Sequence, residues 1–548
     1  MRGPRYVAGL ARSHDGRALY VAENLADSLA VVDVATRRVV QRLGTGAYPY
    51  AVVAAPDGRV YVSDWGGATV HVYRAGADGC LAAERPIDVG RHPSALALSA
   101  RVRRANGRDT PRAAGRYPPI EHVVYVIKEN RTYDQVLGDL RQGDGDTALT
   151  FFPCALSPNH HALAERFGIY DRFFTNAEVS RQGHPWSTSG YVTDYVEKTT
   201  PDVYRLQRHE PAELADVDQP AVGHLWDAAA RRHLWLRNYG ESAEPMPRAR
   251  RGGRRPRAAP RDGVGAGVRA LLPALQPYTS PTYPPFDMAV PDQRRADAWL
   301  AEFREHVRAG RMPALEVVLL PNDHLAGARA GLCTPRACMA DNDLALGRIV
   351  EALSRSRFWR STAVFVLEDD AQAGPDHVDS HRSVLLTISP WAQGGVRHRF
   401  ANTTDVLATI EELLGLPAFS AFDRFGRPLR EIWRASPDVR PYTVLAPAQS
   451  LAEVNLAAGP DARRSAHLDL AHPDRVDDAT FNRIAWRAVK GAATPYPSPH
   501  RVASDRASCT PGRMRSTSSG QTPPALIACP FPPSGVDGNA FAARHGGP

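Results

Sequence analysis

Three polar clusters each follow a run of apolar residues, and together they hold the side chains that bind divalent metals. They are Glu129 and Asn130 after HVVYVIK, Asp323 and His324 after ALEVVLLPN, and Asp369 and Asp370 after STAVFVLE. Carboxylates and imidazoles that converge on one site suit divalent ions such as Zn²⁺ or Mn²⁺. These residues therefore predict a metal centre, provided that the three runs end at the same place in the fold.

Two histidines, His377 and His381, follow the third cluster in the segment AGPDHVDSHRS. Each cluster alone has an ordinary explanation, because a carboxylate after a strand is often a helix cap or part of a solvated turn. Three clusters with two nearby histidines favour the metal centre over that explanation.

A candidate nucleophile is Ser180, which precedes Gly183 and His184 in the pentapeptide SRQGH. We expect it between a strand and a helix that starts at Pro185, since proline is tolerated in a first turn. A helix N-terminus favours negative charge, and a bound metal lowers the pKa of a hydroxyl group. The alternatives are that Ser180 only caps the helix, or that a hydroxyl of residues 187–189 is the nucleophile instead.

The elements that must position these residues alternate between strand and helix from residue 118 onward. We predict a strand at 122–127 that Lys128 breaks, and further strands within 314–323, 361–370 and 383–390. Helices are predicted at 159–167, 221–232, 291–310, 340–356 and 403–415. This alternation predicts an α/β fold with a largely parallel sheet covered by helices. In such sheets, ligands bind at the carboxyl ends of the strands, where the three clusters lie.

The first hundred residues contain an internal repeat instead. Tyr20-Val21 and Tyr61-Val62 lie 41 residues apart, and an Asp-Gly-Arg turn precedes each pair. A period of about 40 residues with four short strands is typical of β-propeller blades, and the repeat resembles the YVTN type. Only two blades and the start of a third are present, whereas a closed ring needs at least about four.

Two arginine-rich stretches, 101–117 and 247–261, account for the basicity of the chain. Their net charges of +5 and +7 together exceed the +8 of the whole chain, so the remainder is net negative. Neither stretch carries interleaved aromatic residues or a recognisable reading helix, so we expect no nucleic-acid partner. Both are predicted to be disordered, the second within an insert at 247–269, and so is the tail at 498–548.

Composition and length set the remaining bounds. The chain has 548 residues, of which 43% are hydrophobic, and this is enough for a large core and more than one domain. No apolar run is long enough for a transmembrane helix, and the first residues lack the apolar region of a signal peptide. Of six cysteines only Cys333 and Cys338 lie close together, and no second pair completes a zinc knuckle.

At these motifs a family resemblance becomes clear. Residues 118–497 resemble the alkaline phosphatase superfamily, in the phosphoesterase branch that includes acid phosphatases and phospholipases C. The resemblance lies in IEHVVYVIKENRTYDQVLG and VFVLEDDAQAGPDHVDSHRS. The pentapeptide SRQGH is similar to the S-x-x-G-H motif of the cofactor-independent phosphoglycerate mutases. The order of domains, with 1–100 as a partial propeller and 101–117 as a basic linker, resembles bacterial propeller–phosphatase fusions.

The resemblance implies a role for each candidate residue. One metal would be surrounded by Glu129, Asn130, Ser180, Asp369 and Asp370, with His184 beside the nucleophile. A second metal site or a phosphate pocket would be built by Asp323, His324, His377 and His381. The ions would be Zn²⁺, Mn²⁺, Ca²⁺ or Mg²⁺, in a number that the sequence leaves open. Export from the cytoplasm is implied as well, although this chain shows no signal peptide.

The sequence therefore predicts a metal-dependent hydrolase of phosphoric esters that acts through a phosphoserine at Ser180. Its substrate would be a small-molecule or lipid phosphate ester, and its oligomeric state is left open. Two alternatives remain. One is phosphodiesterase or phospholipase C chemistry at the same residues, and the other is a non-catalytic, propeller-type binding protein.

Overall fold

The computed structural model describes residues 7–64, 69–76, 80–89, 96, 117–203, 217–246, 267–371, 374, 381–459, 461–469 and 476–497. The chain divides into two compact units, Met1–Gly107 and Arg108–Pro548. The described residues do not include 101–116 and 247–266, which hold the two arginine-rich stretches, or the tail from 498. The predicted disorder of these segments stays a prediction.

In the described part of the N-terminal unit, nine strands form two antiparallel sheets. The strands are β1 Val7–Arg12, β2 Ala18–Glu23, β3 Ser28–Asp33, β4 Arg38–Gly44, β5 Pro49–Ala54, β6 Arg59–Asp64, β7 Thr69–Ala75, β8 Leu81–Ala83 and β9 Ile87–Asp88. The first sheet has the order β1-β2-β3-β4, and the second has the order β5-β6-β7-β8 with β9 also paired to β7.

The sequence repeat appears as a repeat of structure. In each sheet the Asp-Gly-Arg segment turns the chain between the first two strands, with Gly16 at φ 75° and Gly58 at φ 81°. The carboxylates of Asp15 and Asp57 each accept a hydrogen bond from the backbone two residues later, at 3.1 Å in both cases. Two similar antiparallel sheets, of four and five strands, are consistent with a partial propeller-like region.

The C-terminal unit is an α/β structure around a seven-stranded sheet. The strands described in this unit are β10 His122–Lys128, β11 Ile169–Tyr170, β12 Phe173–Phe174, β13 Leu236–Tyr239, β14 Ala243–Pro245, β15 Val268–Ala270, β16 Leu315–Leu319, β17 Thr362–Glu368, β18 Arg382–Ser383, β19 Leu385–Ile388, β20 Val396–Arg397 and β21 Ala401–Asn402. The seven-stranded sheet has the order β13-β16-β10-β17-β19-β11-β20. Strands β12, β18 and β21 form a small separate sheet, and β14 pairs with β15.

Eleven α-helices lie within the described part of this unit. They are α1 Tyr133–Leu137, α2 Pro158–Phe167, α3 Ser180–Ser189, α4 Asp194–Val203, α5 Leu225–Arg231, α6 Asp292–Ala309, α7 Pro335–Ser354, α8 Thr403–Leu414, α9 Ala421–Phe425, α10 Ala462–Ala466 and α11 Asp478–Lys490. The predicted α/β class is confirmed, and each predicted helix and strand of this region has a counterpart.

The centre of the sheet is parallel, as predicted. Strand β10 pairs in parallel with β16 on one side and with β17 on the other, and β16 pairs in parallel with β13. Strand β19 runs antiparallel to β17, so the sheet is mixed at that side. The carboxyl ends of four neighbouring strands therefore meet at one edge.

Both faces of the sheet are buried, and alternate residues of β10 serve different faces. Val124 and Val126 belong to a core shared with α2, α6 and α7, whereas Tyr125 and Ile127 belong to a core shared with α5 and α8. Contrary to the prediction, Lys128 does not break the strand. It is the last residue of β10, fully buried, and opposite Glu368 of β17.

Helix α7 is buried over most of its surface and binds the loops behind the sheet edge. Its consecutive residues 341–343 make buried side-chain hydrogen bonds to three separate segments. The partners are the Asp292 backbone N–H at 2.5 Å, the Leu320 carbonyl at 2.9 Å and His160 Nδ1 at 2.6 Å. This polar network fixes the start of α6, the segment after β16 and the start of α2.

Two further features complete the description. Cys333 and Cys338, at the start of α7, form a disulfide bond. Among the described residues, no helix combines the length and the hydropathy that crossing a bilayer requires.

Candidate active site

The site lies where β10 and β17 end. Because Lys128 and Glu368 are paired in register, Glu129 and Asp369 follow side by side. The backbone N–H of Asn130 donates to Asp369 Oδ1 at 3.2 Å, and Asn130 adopts a left-handed conformation with φ 67°. This turn aims the Asn130 amide at the second aspartate, Asp370.

The amide of Asn130 links Asp370 to Ser180. Its Nδ2 atom lies 2.8 Å from both carboxylate oxygens of Asp370 and 2.9 Å from Ser180 Oγ. Ser180 Oγ in turn donates to Asp370 Oδ2 at 2.9 Å. Three segments that are far apart in the sequence thus meet at one hydroxyl group.

Helix α3 starts at Ser180 rather than at Pro185. The backbone N–H groups of Gln182 and Gly183 both donate to the carbonyl of Val179, so the turn before the proline is already helical. Val179 is the N-cap and provides no side-chain cap. Ser180 is therefore the first helical residue, 6% exposed, and its hydroxyl is turned toward Asp370.

The rival hydroxyl groups of α3 have other partners. Thr188 Oγ1 donates to the backbone carbonyl of His184 at 2.7 Å, and Ser189 Oγ lies 2.8 Å from His224 Nδ1. Ser187 is fully buried, and its Oγ has no hydrogen-bond partner in the described part of the chain. Of the four candidates, Ser180 is the one bonded to the acidic cluster.

His184 lies one turn along α3 and faces three carboxylates. Its Nε2 is 3.4 Å from Glu129 Oε1 and 3.7 Å from Asp369 Oδ2, while its Nδ1 is 3.2 Å from Glu241 Oε2. Burial alone lowers the pKa of His184, but Glu241 and Glu129 offset this effect and hold the pKa well above its usual value. We therefore treat His184 as protonated at neutral pH when no cation is bound.

The donor set fits a divalent cation. Among the described residues, Glu129, His184 and Asp369 form the one group of three acids or histidines with ligand atoms all within 4.8 Å of one another. Asn130 Oδ1 and Asp369 Oδ2 are buried and lack hydrogen-bond partners within the described ranges. Two buried acceptors without donors are what a bound cation would satisfy.

The electrostatics of the free site support the same fit. Burial, and then repulsion from Asp369, raise the pKa of Glu129 to about 8. Burial also raises the pKa of Asp369. A divalent ion would reverse both effects, because it stabilises the ionised carboxylates.

Asp323 lies nearby but has different partners. Its Oδ2 is 2.7 Å from Lys128 Nζ, and its Oδ1 accepts the backbone N–H of Glu129 at 3.2 Å. Its neighbour His324 is partly exposed, with Nδ1 3.0 Å from the Leu325 carbonyl and its ring against Phe286. The structure brings neither of them into the Glu129–His184–Asp369 group.

Of the two histidines predicted after β17, the structure describes His381 but not His377. His381 is half-buried, with Nε2 3.5 Å from Glu178 Oε1, and it too lies outside that group. His377 lies outside the described residues, so its role in a second site stays a prediction.

The sequence does not predict the roles of two residues near the site, Glu241 and Lys128. Glu241 follows β13, a four-residue strand that was not predicted, although Leu236 and the tyrosine of NYGES could have signalled a further strand end. Lys128 was interpreted as a strand break, and its burial depends on acids that lie about two hundred residues away along the chain. No local signal could have revealed that pairing.

Comparison with solved structures finds remote similarity. A protein in the alkaline phosphatase superfamily from Vibrio parahaemolyticus is 14% identical, with a TM-score of 0.37 over 56% of this chain and 71% of that one. A Bacteroides thetaiotaomicron protein from a study of glycosaminoglycan metabolism is 13% identical, with a TM-score of 0.37 over 59% and 78%. Hydrazine synthase of Kuenenia stuttgartiensis is 27% identical with a TM-score of 0.14, and the match covers 15% of this chain and only 25% of that one.

No curated protein matches the chain. The profile of the Phosphoesterase family matches residues 141–417, about half of the sequence. The matched region contains Ser180, His184, Asp369 and Asp370, and it begins after Glu129 and Asn130. On this match the chain belongs to the Phosphoesterase family.

Proposed function

We propose that the C-terminal unit is a divalent-metal-dependent hydrolase of phosphate esters that uses Ser180 as its nucleophile. The observation that carries the proposal is the meeting of the Ser180 hydroxyl with Asn130 and Asp370 at 2.9 Å, beside two buried acceptors that lack donors. Membership of the Phosphoesterase family supports the same class of reaction. A small-molecule or lipid phosphate ester is the proposed substrate.

Four residues would hold the metal together with the Ser180 oxygen: Glu129, Asn130, Asp369 and Asp370. His184, which lies close to Glu129 and Asp369, would not bind the ion and would keep its Nε2 proton. When bound, the ion would lower the pKa of the serine hydroxyl and offset the negative charge of the phosphoryl group. Asn130 would present its Oδ1 to the ion, and its Nδ2 would keep Asp370 in place.

The first step transfers the phosphoryl group to the serine. The Ser180 hydroxyl gives its proton to Asp370 Oδ2, its hydrogen-bond acceptor in the structure. The Oγ–phosphorus bond forms as the ester P–O bond breaks, and the leaving oxygen takes a proton from His184 Nε2. His184 is 28% exposed, so a substrate can reach it from solvent.

The second step restores the enzyme. A water molecule attacks phosphorus, gives one proton back to His184, and displaces Ser180 Oγ, which recovers its proton from Asp370. The N-terminus of the ten-residue helix α3 favours the negative charge that develops on the serine and the phosphoryl oxygens in both steps.

The test combines metal counting with activity. The protein would be treated exhaustively with a chelator, and then assayed on chromogenic phosphate mono- and diesters with Zn²⁺, Mn²⁺, Ca²⁺ or Mg²⁺ added back. We expect activity to vanish and to return with at least one ion. Full activity in protein shown by mass spectrometry to be metal-free would refute the mechanism, and the ester preferred would distinguish monoesterase from phosphodiesterase or phospholipase C chemistry.

A further inference from the structure

Lys128 is a buried cation placed between acids from two neighbouring strands. Its Nζ lies 2.7 Å from Asp323 Oδ2, after β16, and 2.9 Å from Glu368 Oε1, at the end of β17. All three side chains are fully buried. Removing one partner of such a group would leave an uncompensated charge, so the three residues form a single unit.

The two carboxylates of this unit also hold the loop that carries the metal ligands. Asp323 Oδ1 accepts the backbone N–H of Glu129 at 3.2 Å, and Glu368 Oε2 accepts that of Arg131 at 3.3 Å. Asn130, between them, has a φ of 67°, a left-handed conformation that asparagine adopts more readily than most non-glycine residues. Lys128 thus acts on the ligand loop through both acids.

The two groups of charge lie on different sides of the sheet edge. Lys128 continues the face of Val124 and Val126, which packs against α2 and α7. Helix α3, with Ser180 and His184, contacts the other face, where the Tyr125 hydroxyl donates to the Ser187 carbonyl. The sheet edge therefore separates the acids that Lys128 neutralises from the acids that face His184.

We propose that the Lys128 ammonium group takes the place of a second metal ion, so that the centre binds one divalent cation, on the side of Glu129, Asp369 and Asp370. The inference rests on the proposed function, since it concerns the same site. Asp323 is then a positioning residue and not a metal ligand.

The choice of side chain agrees with this role. Lysine occurs only at positions 128, 198 and 490 of a chain that otherwise uses arginine for its positive charges. A lysine ammonium group is a compact point charge with three donors, whereas a guanidinium group is a planar fork. A compact charge can stand between two carboxylates as a metal ion does.

The first test is the number and affinity of bound ions. Zn²⁺ and Mn²⁺ would each be titrated into metal-free, full-length protein by calorimetry, and bound metal would be counted by mass spectrometry. We expect one ion per wild-type chain. We also expect one ion in Asp323→Asn, with an affinity within about threefold of wild type, because the asparagine carbonyl can still accept the Glu129 N–H.

Two variants calibrate this measurement. Asp370→Asn should weaken binding at least tenfold, because Asp370 is a proposed ligand, and Asp297→Asn, at a half-exposed ion pair with Arg348, should leave binding unchanged. A tenfold or larger loss of affinity in Asp323→Asn would overturn the inference. So would two ions in the wild type that fall to one in Asp323→Asn.

The second test removes the built-in cation. In Lys128→Met, the two unpaired carboxylates should recruit a divalent ion, so that the count rises to two and the melting temperature comes to depend on metal. Lys198→Met, at a surface pair with Asp194, should match the wild type. One ion and a metal-independent melting temperature equal to that of the wild type in Lys128→Met would contradict the proposal.

A variant that neutralises the whole unit keeps the proposal testable if Lys128→Met does not fold. Lys128→Met/Asp323→Asn/Glu368→Gln should fold and bind one ion, whereas loss of that ion would show that these acids are ligands. Different results refute the proposed function and the proposed role of Lys128. A wild-type chain that binds no metal refutes the proposed function, and a wild-type chain that binds two at these acids refutes only the role of Lys128.

Discussion

Gly183 and Asp369 are in direct contact across the site. A Cβ atom at Gly183 would lie 2.7 Å from the carbonyl oxygen of Asp369 and 2.9 Å from its Oδ2. The missing side chain lets α3 approach the end of β17, and this approach sets the distance between Ser180 and Asp370.

We therefore expect Gly183→Ala to damage activity more than folding. The methyl group would push α3 away from the end of β17 by a few tenths of an ångström or more and misplace the Ser180 hydroxyl. A misplacement of about 1 Å can cost about a hundredfold in rate. Steady-state kinetics and thermal melting would measure both effects.

Gly44→Ala is a suitable control, because within the described ranges no heavy atom beyond Gly44 and its two chain neighbours lies within 4 Å of the added Cβ. It should keep wild-type kinetics. Normal turnover in Gly183→Ala would show that the contact does not set the geometry of the nucleophile.

Ser180→Ala should abolish turnover and leave the fold and most of the metal affinity intact. Carboxylates supply most of that affinity, whereas losing the nucleophile costs several orders of magnitude, because catalytic groups that act as a unit fail together. A serine that merely capped the helix would instead cost about 1 kcal/mol of stability at near-normal turnover. Rate constants and melting temperatures of Ser180→Ala and Ser187→Ala would separate the two roles.

If Ser187→Ala were the inactive variant and Ser180→Ala turned over normally, the nucleophile would be misassigned. Normal turnover in both would argue against any covalent serine mechanism.

Glu241→Gln should lower activity by up to about 100-fold, because Glu241 holds His184 in place and general acid catalysis by a positioned histidine contributes about 10²- to 10⁴-fold. The neutral amide would no longer hold the pKa of His184 up, so His184 would lose its proton at a lower pH. The alkaline limb of the pH–rate profile should therefore move to lower pH. An unchanged profile would exclude His184 as the proton donor, and Glu244→Gln, at an exposed pair with Arg269, is the matched control.

The folded protein should lose stability in acid because of His224. Burial lowers the pKa of His224 to about 4, whereas a histidine in an unfolded chain has a pKa of about 6.5. Between these two pH values the unfolded state binds a proton that the folded state does not. The free energy of unfolding therefore decreases as the pH is lowered, by up to about 3 kcal/mol.

Urea titrations between pH 4.5 and 7.5 would measure this dependence, with fluorescence as the signal because Trp226 stacks on His224 at 4.5 Å. His224→Gln should flatten it, and replacing the exposed His14 by Gln should not. Equal slopes in wild type and His224→Gln would assign the acid sensitivity to other groups.

The C-terminal unit should fold without the N-terminal sheets. Its start matters, because the Tyr117 hydroxyl donates to Glu412 and the Tyr117 ring meets Trp433 edge-on at 6.3 Å. A fragment of residues 117–497 should therefore melt a few degrees above one of residues 118–497, as expected for the loss of about 1 kcal/mol. Circular dichroism would test both, and solubility only with residues 1–116 attached would show that the units depend on each other.

Local patterns were sufficient to predict most of the sheet and the carboxyl-end cluster. Strands β10 and β17 are short apolar runs, and the acids that follow them converge because parallel strands end at the same edge. The S-x-x-G-H motif marks Ser180 as a candidate nucleophile, but the helix starts at Ser180, five residues before the predicted start at Pro185. Pro185 lies at the sixth helical position, and the helix already begins with the hydrogen bonds from Gln182 and Gly183 to the Val179 carbonyl.

What could not be predicted depends on distant partners. The burial of Lys128 is tolerable only because Asp323 and Glu368 neutralise it, and neither is visible from its neighbours in the chain. Glu241 follows a strand too short to stand out by periodicity, and its importance comes from His184 on a different helix.

The hydrogen bonds of the polar residues 341–343 of α7 affect how the protein unfolds at the sheet edge. Because successive helical residues point in different directions, these three side chains hold separate segments that the chain itself does not connect closely. No one of these segments can detach without exposing a buried polar group of α7, and the helix cannot turn without releasing all of them. The edge of the sheet should therefore unfold as one cooperative block and not by fraying loop by loop.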